Sequence, residues 1–216
     1  MDYNFLKHTE LFKDMDEIEI KSVLSHFQGY EKTFENKEVI YRTGDETDEI
    51  GLILEGSANA VAYDYWGNES ILGSIKGGEV FAVPYAAIPG AKLQNDVVAN
   101  KNCTVLFLNI KDMLRLGRNE SALLQNLFLI SIKRTLNLHS RMKHISEKTT
   151  RGKLISYLSE QSVARGSSTF TIPFNRGQLA QYLCTDRSAL SNELSKMQRE
   201  GMIEYKLNSF ALKEIY

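Results

Sequence analysis

Near the C-terminus only three residues, Cys184, Thr185 and Asp186, separate two stretches of helical spacing. The first, about 176–183, places Leu179, Ala180 and Leu183 on one side, and the second, about 187–199, places Leu190, Leu194 and Met197. Thr185 or Asp186 can cap the second helix. So short a link forces a sharp corner, and Ala180 is small enough to let the two helices approach closely. That is helix-turn-helix geometry. After Gly201 the period falls to two: Ile203, Tyr205 and Leu207 alternate, Asn208-Ser209 turn, and Phe210 and Leu212 continue. This pattern predicts a β-hairpin wing beside the helices.

The stretch TDRSALSNELSKMQREG keeps Arg187, Ser188, Ser191, Asn192, Ser195 and Lys196 opposite its apolar stripe. A solvated surface helix accounts for that face, and so does a helix lying in the major groove of DNA. Corner, small residue, cap and wing occur together, which favours the groove. Arg187 stands in the first turn, where a guanidinium can donate twice to guanine O6 and N7. Ser188 and Asn192 share its face, and an Asn carboxamide pairs in the same bidentate way with adenine. Arg176, Ser191, Lys196 and Lys206 are phosphate candidates, which give affinity and register without sequence information.

Upstream the period changes twice. Residues 1–30 read as short helices, with Phe12, Met15, Ile18, Val23, Leu24 and Phe27 at helical intervals. From about 31 to 110, short β-rich runs (VIYR, IGLILEG, ANAVAYDYW, ESILGSI, DVVA, CTVLFLN) alternate with turn signals such as Glu55-Gly56-Ser57 and Trp66-Gly67-Asn68. Such spacing predicts an antiparallel barrel or roll, its interior either filled by side chains or holding a small molecule. Gly117 is placed to end a short helix and Asn119 to cap a long one. Between 123 and 132 the long helix is too apolar for one stripe. A seam continues as Leu124, Phe128, Ser131, Thr135, Leu138, Met142 and Ile145 in alternating steps of four and three, as a coiled-coil contact does. A dimer helix fits this seam; a helix buried within one chain is the alternative. A further helix opens at Thr149 or Thr150, and ARGSSTFTIPFN reads as a loop.

Charge divides along the chain. Residues 1–110 hold nine Lys and Arg against eighteen Asp and Glu, whereas 111–216 hold seventeen against nine. An acidic front and a basic back fit a nucleic-acid contact confined to the C-terminal part. No apolar run reaches membrane-spanning length and no secretory leader is evident, so no membrane partner is expected. Two distant cysteines, Cys103 and Cys184, suit a reducing cytoplasm. The chain has no nucleophile elbow, phosphate loop, HExxH or clustered metal ligands, and no enzymatic activity is expected.

The order of roll, long helix and winged helix-turn-helix resembles the bacterial transcription regulators related to the cyclic-AMP receptor protein and the fumarate-nitrate regulator. RGQLAQYLCTDRSALSNELSKMQREGMI is similar to that family's DNA-binding signature without gaps; IGLILEGSANAV and GGEVF resemble its sensor domain less specifically. The resemblance implies an α+β chain: a cupin-like antiparallel β-roll (a double-stranded β-helix) over 1–110, a dimerisation helix over 111–146 and a winged helix-turn-helix over 147–216. It implies three partners: duplex DNA at an imperfect palindrome, a second copy of the chain, and RNA polymerase. Arg187, Ser188 and Asn192 fall on the family's base-reading positions. Ser188 stands where Glu is frequent and Asn192 where Arg is frequent, and Cys184 takes a turn position usually held by Gly. The dimer seam maps to Leu124, Phe128, Thr135, Leu138 and Met142. The effector pocket maps to Val83, Tyr85, Leu93, Gln94 and Leu138.

Cyclic-AMP-binding relatives carry a Gly-Glu pair and an Arg ten residues after the Glu. Here Ala82-Val83 and Leu93 occupy those slots, with Lys92 expected on the opposite face of the strand. A cyclic phosphate needs a positive partner and a ribose an acceptor. We therefore expect an unidentified small-molecule effector and not cyclic AMP. Neither an iron–sulfur cluster nor haem is expected, because two cysteines cannot supply four thiolates and His8, His26, His139 and His144 show no metal spacing. Tyr63, Tyr65, Trp66 and Tyr85 either line an aromatic pocket or serve core or surface packing. A ligand-binding sensor acting through a protein partner is the alternative function.

Overall fold

The computed structural model describes residues 1–67, 69–111 and 121–213. It divides into two compact units, Met1–Ile132 and Lys133–Tyr216, and the division falls within the long helix.

The first unit opens with α1 (Tyr3–Lys7) and α2 (Glu17–His26). Helix α2 begins with a reciprocal cap. The Asp16 carboxylate accepts from the Glu19 amide at 2.9 Å, and the Glu19 carboxylate accepts from the Asp16 amide at 2.7 Å. Ile20, Val23 and Leu24 face inward. The strands are β1 (Tyr30–Phe34), β2 (Val39–Tyr41), β3 (Glu49–Tyr63), β4 (Glu69–Lys76), β5 (Val80–Phe81) and β6 (Asp96–Asn109), with the short helix α3 (Val83–Ala87) before β6. All pair antiparallel in the order β1-β6-β3-β4; β2 adds to β6 and β5 to β3.

Two corrections concern the strands. IGLILEG and ANAVAYDYW are one strand, and so are DVVA and CTVLFLN. The Glu55-Gly56-Ser57 turn signal is instead a break in register between β3 and β6, with Gly56 at φ +79°. A bulge uses the same backbone freedom as a turn, so the composition alone does not separate them. Aromatic rings fill the interior at the level of Tyr41, which meets Phe81 at 5.8 Å and Phe107 at 6.0 Å edge-on. Phe81 lies so close over Gly51 that a Cβ there would sit 2.2 Å from its ring.

The long helix α4 spans Ser121–Ile145. Leu123, Leu127 and Ile130 join the core built from Leu11, Phe12, Leu52 and Leu106. Asn126 is buried beside them, and its amide nitrogen donates to the carbonyls of Leu11 (3.0 Å) and Lys13 (2.9 Å). The expected helix end at Gly117 and cap at Asn119 lie outside the described residues.

In the second unit α5 (Thr150–Arg165) is capped by the Thr149 hydroxyl, which accepts from the Gly152 amide at 2.9 Å. Then come β7 (Thr169–Thr171), α6 (Arg176–Tyr182), α7 (Arg187–Arg199), β8 (Ile203–Lys206) and β9 (Ser209–Leu212). The expected loop therefore contains a strand, and the wing is a three-stranded sheet in the order β7-β9-β8. Its turn falls on Leu207-Asn208, one residue earlier than expected. Leu207 adopts φ +54° and is exposed, so it does not belong to the alternating inner set. Leu154, Leu158, Phe170, Leu179, Leu183, Leu190, Leu194 and Phe210 form the core. Among the described residues no helix is long and apolar enough to cross a membrane.

Candidate nucleic-acid interface

The corner between α6 and α7 is fixed by backbone hydrogen bonds. Helix α6 starts with a reciprocal cap between Asn175 and Gln178. At its end the Cys184 amide donates to the Gln181 carbonyl (3.2 Å) and the Thr185 amide to the Ala180 carbonyl (3.0 Å). This pair of bonds needs a left-handed residue between them, and Cys184 supplies it at φ +48°. Two further carbonyls at this corner accept from cations. Arg141 Nε donates to Tyr182 O at 2.9 Å, and Lys153 Nζ to Cys184 O at 2.9 Å. Asp186 caps α7, accepting from the amides of Ser188 (2.7 Å) and Ala189 (2.9 Å). Those amides and the Ser188 hydroxyl hold its carboxyl below the usual carboxylate range.

Leu190, Leu194 and Met197 are buried, while Arg187, Ser188, Asn192 and Lys196 are exposed. Ser191 is half-buried and its hydroxyl donates back to the Arg187 carbonyl at 2.9 Å. Lys206 is exposed at the end of β8. Arg176 is drawn partly inward: its guanidinium stacks 4.5 Å from the Tyr205 ring centre and 5.2 Å from that of Phe210. Burial lowers its basicity, while the Tyr205 hydroxyl acts the other way. A groove of about 630 Å³ separates the start of α6, the first turn of α7 and the wing turn. Arg176 and Arg187 line it together with Asn175, Gln178, Leu207 and Asn208, and no carboxylate is among its lining residues. Such a surface suits a polyanion.

Three residues that position these elements escape a reading of spacing. Arg151 ties α5 to α7, pairing with Glu200 and with Glu193 at 3.4 Å. Arg141 closes the end of α6 as described. His144 is fully buried, with Nδ1 2.8 Å from the Ser156 hydroxyl and its ring edge-on to Tyr157 at 5.5 Å. The same burial, with the neighbouring Tyr182, pushes the Tyr157 hydroxyl up to about 12. Arg141 and His144 are three apart on α4, one helical turn, and that spacing is the only signal the sequence gives for them.

In the first unit Val97 and Ala99 are buried in alternation on β6, whereas Leu93, buried, and Lys92, exposed, precede that strand, Lys92 in an isolated bridge to Glu46, so the expected strand alternation does not apply to them. Of the positions mapped to an effector pocket, Val83 and Leu93 are buried, Tyr85 is half-buried, and Gln94 and Leu138 are exposed. Val83 joins the core beneath α1 and α2, whereas Tyr85 packs on the aromatic cluster of the roll. Tyr63, Tyr65 and Trp66 are surface residues at the β3–β4 hairpin, with Tyr65 95% and Trp66 83% exposed. Along α4 the residues expected to form a dimer seam are exposed: Phe128, Leu138 and Met142 by 62%, 59% and 65%, and Leu124 and Thr135 as well.

Family models match both parts of the chain. A cyclic nucleotide-binding domain model covers residues 31–120 and a Crp-like helix-turn-helix domain model covers residues 152–214. Among solved structures, the catabolite activator protein of Thermus thermophilus is 21% identical over 95% of this chain and 94% of its own, with a TM-score of 0.51. CLP of Xanthomonas campestris, a c-di-GMP-responsive global regulator, is 16% identical over 93% and 100%, with a TM-score of 0.59. CprK in complex with OCPA is 13% identical over 88% and 91%, with a TM-score of 0.66. At these identities the likeness is one of fold. No curated protein matches the chain by sequence.

Proposed function

The chain belongs to the Crp/Fnr superfamily of transcription regulators, and from that premise we propose that it acts as a homodimer on an imperfectly palindromic DNA site. The observation that carries this reading is the exposed start of α7, where Arg187, Ser188 and Asn192 face solvent and Arg187 joins Arg176 in a groove whose lining holds no carboxylate. In a two-fold dimer, two such helices would enter successive major grooves about 34 Å apart. Leu124, Phe128, Thr135, Leu138 and Met142 would form the seam, because they leave more apolar surface on one helix than water tolerates cheaply. Lys196, Lys206 and Arg176 would meet phosphates. RNA polymerase would be the downstream partner.

The roll would take an effector other than cyclic AMP. A buried leucine, Leu93, stands where a cyclic phosphate would need a cation, and Lys92 is exposed. Effector binding would bias two arrangements of the DNA-binding heads, a population shift.

The test is fluorescence anisotropy with duplexes tiled across the DNA upstream of the protein's own gene. One duplex should bind at least a thousandfold more tightly than random DNA of equal length. Arg187→Ala should lower that preference by roughly tenfold or more and leave the salt-dependent non-specific binding. Equal affinity for all duplexes would remove the proposal. Micromolar binding of cyclic AMP by calorimetry would remove the statement about the effector.

A further inference from the structure

Arg141 joins two parts of the second unit that the chain itself links only at length. It stands near the end of α4, and its guanidinium crosses to the corner of the helix-turn-helix, 41 positions further on. Nε donates to Tyr182 O at 2.9 Å and Nη2 to Gln181 O at 3.3 Å. Nη2 also lies 3.7 Å from Cys184 Sγ, and the guanidinium carbon sits 5.5 Å from the centre of the Tyr182 ring. That ring is itself packed, on Phe174 at 4.9 Å and on Tyr157 at 5.5 Å. A planar fork held at several points resists pivoting, whereas a lysine on a single carbonyl does not. The other ties divide differently. Thr150, Arg151 and Lys153 bind α5 to the corner and to α7. Ser140 and His144 bind α4 to α5. Arg141 is where α4 grips the corner that aims α7. It also falls between Leu138 and Met142, both of the proposed seam, which are about 6 Å apart along the axis at roughly 1.5 Å per residue. One turn of α4 thus carries both the seam and the grip on the head.

We infer that Arg141 is a positioning residue for two-headed DNA binding: its grip on the α6–α7 corner fixes the angle of each α7 to the dimer axis and so sets the half-site spacing that the protein accepts. Arg141 touches no DNA itself and acts through the corner. One base pair added between half-sites moves them apart by about 3.4 Å and rotates one against the other by about 35°. A joint held by a fork cannot follow that change, and a loosened joint can. The inference rests on the reading of a homodimer with α4 at its axis, and it adds what sets the spacing.

The test uses the full chain and a palindrome that the wild type selects from a random-sequence duplex library. Derived duplexes carry a single half-site, or both half-sites with the spacer shortened or lengthened by single base pairs. The wild type should lose about tenfold or more in affinity for each base pair of change. Arg141→Ala should bind the single half-site within about twofold of the wild type, which shows a folded head; it should bind the palindrome about tenfold more weakly and lose less than about threefold per base pair of spacer. Arg141→Lys keeps the charge without the fork and should share the flattened spacing profile, which separates geometry from electrostatics. The inference is overturned if either variant keeps the wild-type spacing profile. It is also overturned if both weaken the single half-site as much as the palindrome, since the residue then only stabilises the head. A wild type that binds the palindrome no more tightly than a single half-site would overturn the homodimer reading, and this inference with it.

Discussion

His144 Nε2 lies 3.6 Å from a Glu160 carboxylate oxygen at a position where the imidazole is wholly screened from water. Ser140, Ser156, Tyr157 and Tyr182 surround the ring, and Lys143 pairs with Glu160 at 3.9 Å. Burial pulls His144 below the ordinary imidazole value; Glu160 opposes this and Lys143 adds to it. The folded state therefore holds the neutral ring. The stability this contributes is complete above the unfolded value of about 6.5 and is lost as pH falls below it. Urea unfolding followed by circular dichroism should show the stability of the second unit falling as pH is lowered between about 7.5 and 5.5. His144→Gln should flatten that dependence. An unchanged slope in the variant would show that other groups are responsible.

Asn126 is the one long polar side chain that α4 sends into the roll's core, and both of its donors are used. Asn126→Leu keeps the branched shape with a larger volume and strands the carbonyls of Leu11 and Lys13. The first unit should lose about 2–3 kcal/mol in equilibrium unfolding. A loss under about 0.5 kcal/mol would mean that water replaces the carboxamide.

Cys184 occupies a left-handed backbone position that glycine adopts without strain. Cys184→Gly should stabilise the second unit by about 0.5–1 kcal/mol, the strain released minus the added freedom of the unfolded chain. Cys184→Val should destabilise it. Thermal unfolding of both variants is the measurement, and a destabilised glycine variant would show that the side chain's contact with Arg141 at 3.7 Å outweighs the backbone.

The seam proposed on α4 gives a test of assembly. Phe128→Glu combined with Met142→Glu places charge at two of its most exposed apolar positions. Sedimentation should change from dimer to monomer. Affinity for a full palindrome should fall by about a hundredfold or more, because the second half-site is no longer tethered. A variant that still sediments as a dimer would move the interface elsewhere.

The corner at 184–186 was legible because three constraints coincide there: a cap, a small residue and two apolar stripes that end and begin within four positions. The alternation of Val97 and Ala99 was legible for a similar reason, since that face of β6 is buried there. The unbroken course of β3 and β6 was not legible. Glu55-Gly56-Ser57 carries turn chemistry, and only the pairing partner, β6, decides that the chain continues. Strand β7 was hidden because Thr169–Thr171 is three residues long and gains its place through β9. At the interface the exposed residues could be named from helical phase. The internal bond of Ser191 depends on its rotamer and could not.

The pairing of Tyr30 with Phe107 and of Phe34 with Cys103 closes the roll between its first and last strands. A ribosome that has delivered β1 must therefore finish nearly the whole domain before that edge is covered. Contacts so distant along the chain fold slowly, over milliseconds to seconds in proteins of this kind. The nascent roll thus passes through a period with an uncovered strand, during which chaperone capture and edge-to-edge association compete with closure.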